Sequence, residues 1–100
     1  ARTADLMGVQ YIGLGSDLCQ DQPDSVVEWM RVGRWTKQID YGEGSAAHAG
    51  FPEMPDWFQD NRHFSNIAAG LRAAGFSKDE TSAIMGENWL RFYDANFTAA

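Results

Sequence analysis

The apolar positions change spacing several times along the chain. Leu6 and Met7 close on Gly8, a natural helix stop, so residues 1–8 read as the end of a helix. Val9 to Leu14 is mostly apolar with no strict alternation. Val, Tyr and Ile favour strands, and a run without a polar face suits a strand buried on both sides in a parallel sheet. Gly13 and Gly15 break its side-chain row, which permits a bend or a close backbone approach. Residues 16–24 are polar and turn-like. Ser25 and Glu28 then have capping-box spacing, and Val26, Val27, Trp29 and Met30 carry a short helix to about Arg34. Residues 38–57 hold Gly42, Gly44, Gly50, Pro52 and Pro55 with no period. That predicts a long irregular loop, of the kind used as a lid or binding segment.

The clearest helix follows. Phe64, Ile67, Ala68, Leu71 and Ala74 fall on one face at the 3.6-residue period. Gly75 ends it, and Phe76 stands where an apolar contact at the helix end belongs. Ser77-Lys78-Asp79-Glu80 is a full capping box, so another helix starts at once. Ile84 and Met85 give it an apolar side, and Gly86 interrupts it before the run Glu87 to Tyr93. The tail from Thr98 to Ala100 is expected to fray.

This order predicts an α/β class with one strand, at about 9–14, a loop with a short helix over 16–61, and terminal helices over about 62–97. One strand is not a sheet. The reading therefore requires flanking strands from elsewhere, with residues 1–100 being part of a single larger domain or one chain of an assembly.

Composition narrows the classes. With 44% hydrophobic residues and 13% aromatics, the chain can build a core, and disorder is not expected. The net charge of −6, with eight scattered basic residues, speaks against nucleic acid, which needs clustered Lys and Arg. No apolar run approaches the roughly 18 residues of a membrane span. The lone cysteine, Cys19, excludes an internal disulfide and leans toward a reducing, cytoplasmic setting. Cys19 reads more simply as a small apolar filler than as a nucleophile, since no base lies beside it in sequence.

The chemistry-bearing candidates are few. Asp17 stands at the carboxyl end of the predicted strand, where α/β folds collect their active groups. A carboxylate there can accept a hydrogen bond from a substrate amine, orient a water or bind a metal. It can equally cap a turn or pair with an arginine. Gly13-Leu14-Gly15 opens like a dinucleotide-binding loop, but position 18 is Leu18 rather than glycine. His48 lies in the Gly-rich loop and is a candidate substrate contact. His63 reads as a cap or surface group at the start of the amphipathic helix. The two form no metal-ligand pair by spacing. Asp21 and Asp24 read as solvated or helix-capping. Trp29, Trp35, Tyr41, Trp57 and Phe58 can wall a pocket, meet a second subunit or pack the loop onto its own domain.

The ordered blocks "VQYIGLGSDLCQ" and "HFSNIAAGLRAAGFSKDETSAIMGENWLRFYDANF" resemble the C-terminal part of the membrane (renal) dipeptidase family. Its members carry a strand ending in G-G/S-D-F-D-G, a helix of the type Y-P-D-L-I-A-E-L-L-x-R-G, then W-S/T-x-x-D/E-I/V and a final G-x-N-x-L-R-V-F. The counterparts are Gly15-Ser16-Asp17, the helix from His63 to Ala74, Gly75-Phe76-Ser77, and Gly86 to Phe92. The resemblance covers roughly two thirds of the chain. It implies the last strand and terminal helices of a (β/α)8 metal-dependent hydrolase barrel, incomplete in this chain. The rest of the barrel would come from the same chain or a companion chain. It also implies a dipeptidase cleaving the amide bond of its substrate by metal-activated water. Two zinc ions would be held by ligands outside this segment. Asp17 would be the catalytic proton carrier beside the bridging water. Apart from the resemblance, the loop aromatics leave a homodimer contact open. Two departures stand out. Cys19 replaces the family's second Asp, and Gln20 the following Gly. The stretch from Gln20 to Asn61 is also longer than in the commonest members, which leaves substrate preference open. Two alternatives remain beside this one: another metal-dependent amidohydrolase with a non-peptide substrate, and a non-catalytic acidic assembly or binding subunit.

Overall fold

The computed structural model describes residues 1–32, 39 and 44–97. Among them there is no strand and no sheet, only helices, turns and an isolated antiparallel bridge between Ser45 and His48. The fold among the described residues is all-helical, which corrects the α/β barrel expectation. The chain divides into two compact units, residues 1–17 with 60–100, and residues 18–59.

In the first unit, α1 spans Arg2–Met7 and stops at Gly8, whose N–H donates to the Ala4 carbonyl at 2.9 Å. Gly8 has φ 86°, a left-handed conformation that costs glycine nothing, and it turns the chain into a 3-10 turn over Val9–Tyr11. The expected strand over 9–14 is therefore lost in its first half. Ile12 itself is extended (φ −103°, ψ 131°), and no bridge among the described residues pairs this segment with another. The β-formers Val9, Tyr11 and Ile12 express a preference that a strand realises only against a neighbour.

The helical part of this unit follows its local signals closely. The Asp60 carboxylate accepts from the Arg62 N–H at 2.8 Å and opens a 3-10 turn over Asn61–His63, which runs directly into α3, Phe64–Ala73. Phe64, Ile67, Ala68 and Leu71 are half-buried, while Ser65, Asn66, Ala69 and Gly70 are exposed, so the 3.6-residue stripe marks the inward face. Gly75, at φ 100°, closes α3. Its N–H donates to the Arg72 carbonyl and the Phe76 N–H to the Leu71 carbonyl, both at 3.1 Å, the paired bonds of a Schellman cap. The Ser77–Glu80 capping box forms with bonds of 3.1 and 2.8 Å and starts α4, Lys78–Ser82. A wider π turn over Ala83–Glu87 leads into α5, Asn88–Asn96, with Gly86 leaving helical geometry (φ 176°, ψ −26°). Among the described residues of this unit, Ile84, Thr81 and Asn88 are buried, at 2%, 6% and 7% exposure.

In the second unit, α2 spans Ser25–Val32. Ser25 is its first helical residue rather than its cap, and the Asp24 carbonyl accepts from Val27 and Glu28 at 3.1 Å each. The Asp24 carboxylate instead accepts from the Phe51 N–H at 3.2 Å. Gly50 makes this approach possible, because a Cβ there would collide with that carboxylate. Among the described residues of this unit, Val27 and Phe58 are the buried apolar side chains. The far end of the predicted 25–34 helix, Trp35, Tyr41 and the tail 98–100 lie outside the described residues.

Candidate functional site

The most developed polar constellation joins α5 to residues 9–14 within the first unit. Asn88 donates from Nδ2 to the carbonyls of Val9 and Ile12, both at 2.8 Å. Its Oδ1 accepts from an Arg91 guanidinium nitrogen at 2.8 Å, and the same nitrogen donates to the Gln10 carbonyl at 2.7 Å. One residue along, Trp89 Nε1 donates to the Leu14 carbonyl at 3.1 Å. Four carbonyls of residues 9–14 are thus taken by side chains of a single helical turn. The Trp89 indole lies so close to Gly13 that a Cβ there would run into its ring nitrogen. Each such bond stabilises by about 0.5–1.5 kcal/mol net, and stranding a buried carbonyl costs about 1–3 kcal/mol.

Beside this clasp runs a groove of about 570 Å³. One wall is Gln10 to Gly13 and the other is Asn88, Trp89, Arg91, Phe92, Ala95 and Asn96. Trp89, Phe92 and Tyr93 on α5 form a cluster of rings with Phe97, which caps its end. Trp89 stacks on Tyr93 (centroids 5.7 Å apart, planes at 20°), and Phe92 meets Trp89 edge-on at 6.0 Å. Phe97 lies 5.8 Å from Tyr93 and 6.4 Å from Phe92. Spacings of three to five residues put these rings on neighbouring turns, and all four are exposed.

Asp17 is exposed and stands three residues after Leu14, in a segment with no regular secondary structure. Its φ of 51° is left-handed, a region that Asp and Asn tolerate better than other side chains. His48 belongs to the second unit, in the Ser45–His48 turn whose backbone bonds are 3.2 and 3.0 Å, and it is exposed. Among the described residues, no metal-holding group of His, Cys, Asp or Glu gathers around it. His63 precedes α3 without a side-chain capping bond; the cap before it is Asp60, which sequence reasoning passed over. Arg62 grips that carboxylate with three side-chain bonds of 2.6–3.2 Å. These bonds, helped by the Arg62 N–H, pull the Asp60 carboxyl down to about 2. Cys19 is a free, exposed thiol rather than a buried filler.

Among the described residues, no group of three or more His, Cys, Asp or Glu side chains comes together to hold a metal ion. No helix among them is long and apolar enough to cross a membrane. Asn88 and Arg91 are the residues whose role the sequence did not disclose. They stood out only as letters of the G-x-N-x-L-R block, and their partners are backbone atoms that any residue type supplies. Comparison of the chain with protein-family models, with curated proteins and with solved structures finds no match.

Proposed function

We propose that this chain is the carboxylate-bearing helical segment of a dipeptidase-like hydrolase, with Asp17 as the group that handles the proton during amide cleavage. One observation carries the reading. The two blocks that resemble the dipeptidase family, Gly15-Ser16-Asp17 and Gly86 to Phe92, lie about 70 residues apart in sequence, yet Asn88, Trp89 and Arg91 bind the residues leading into Asp17. The second block thus holds the approach to the first, and the acid stands exposed at its end.

An amide nitrogen leaves readily only once protonated. A carboxylate that takes a proton from the attacking water and returns it to that nitrogen supplies general acid–base help. The described residues do not fit a zinc site. Zinc in this reading would be held by other polypeptide, and no step of this chain's chemistry is routed through it.

Asp17→Asn in the complete assembly that carries this chain is the direct test. Asparagine tolerates the left-handed backbone, so the exchange removes the proton carrier and leaves the turn. Turnover of dipeptides is expected to fall by about 10²-fold or more. A change below about twofold would make Asp17 a turn residue.

The exposed rings of α5 favour a second reading, a non-catalytic acidic module that docks a partner or a second copy through this face. Chelation followed by zinc addition separates the two. Hydrolysis lost and then regained supports the enzyme, whereas no hydrolysis of a dipeptide panel with any metal leaves the module.

A further inference from the structure

We propose that Asn88, its carboxamide oriented by Arg91, is the positioning residue for Asp17. The consequence for turnover rests on the hydrolase reading; the clasp itself does not. A carboxamide has two N–H donors and one acceptor oxygen. Here the donors bind Val9 and Ile12, the two ends of the 3-10 turn, and the oxygen is taken by Arg91. Arg91 also holds Gln10, so exchanging the amide's oxygen and nitrogen would break three bonds at once and set the carboxamide nitrogen against a guanidinium. Asn88 is 7% exposed, so water does not readily replace these bonds. Trp89 adds the last tie at Leu14, three residues before Asp17. A segment in a sheet takes its direction from the neighbouring strand. This one takes it from side chains rooted in α5, and the direction in which Gly15 and Ser16 leave the clasp aims the carboxylate.

The test uses the full chain with two variants. Asn88→Asp keeps the shape but sets a carboxylate against two carbonyls. Trp89→Phe keeps an aromatic ring and removes the Nε1–H donor together with the part of the indole beside Gly13, so it loosens the same segment without a buried charge and stays informative if the first variant fails to fold. Backbone amide order parameters of Gly13 to Asp17, measured by NMR relaxation, are expected near 0.85 in the parent chain and below about 0.6 in the variants, with α3 unchanged. A parent chain already below 0.6 there, or variants as rigid as the parent, would overturn the proposal. In the complete assembly, Asn88→Asp and Trp89→Phe should each lower kcat about tenfold or more with little change in KM. Unchanged kcat in a loosened variant would remove the positioning role. If the parent assembly does not hydrolyse dipeptides at all, the hydrolase reading fails, and the order parameters still decide the clasp.

Discussion

Asp60 shows what one side chain does when its neighbours are close in sequence. Its carboxylate takes the Arg62 N–H and guanidinium together, and its pKa drops from an ordinary 3.8 to about 2. A carboxyl depressed in the folded state adds stability that is present above its unfolded value. That contribution is lost as pH falls from about 4 through 2. Titrating the Asp60 side-chain carbon by NMR should give a midpoint near 2, and Asp60→Asn should remove the acid-dependent loosening of the Asn61–His63 turn in that window. A midpoint near 4 would show that the pair does not persist in solution. Asp17 is the opposite case. Its residue type and place were legible in sequence, but its left-handed φ and its exposure were not, because no local pattern at Gly15-Ser16-Asp17 encodes either.

At the scale of elements, the α3–α4 junction was readable almost letter by letter. Gly75, Ser77 and Glu80 act within a few residues of themselves, so their sequence is nearly their structure. Gly75→Ala should destabilise the chain by about 1 kcal/mol or slightly more, since open space surrounds the site and the cost is the positive φ alone. Thermal unfolding should register a drop of about 4–8 °C. An unchanged midpoint would mean that the α3 terminus does not need this conformation. The run from Val9 to Leu14 misled because strand preference records side-chain shape, whereas a strand needs a second backbone. The π turn before α5 is intermediate: Gly86 marked an interruption, but its outcome, the placing of Asn88, Trp89 and Arg91 against residues 9–14, was not in the local pattern.

For the molecule taken whole, apolar surface outweighs apolar core. Among the described residues, Val27, Phe58 and Ile84 are the buried hydrophobic side chains, while Leu90 and Tyr93 on α5 and Phe97 at its end are 68%, 51% and 71% exposed. Replacing Phe92 and Phe97 together by serine should reduce binding of the dye ANS to the chain and change its stability by about 1 kcal/mol or less, because Phe92 is already 49% and Phe97 71% exposed. A loss above about 3 kcal/mol in urea unfolding would show that these rings are core instead.

Sequence by itself determined the helices α1 and α3, the Schellman and capping-box junction into α4, the acidic balance and the carboxylate at position 17. Each depends on residues within one or two turns or on simple counts. Only the tertiary structure decided that residues 9–14 are not a strand and that their carbonyls belong to Asn88, Trp89 and Arg91. Those bonds close loops of more than 70 residues onto backbone atoms, and a backbone carbonyl carries no mark in sequence of which distant side chain will reach it.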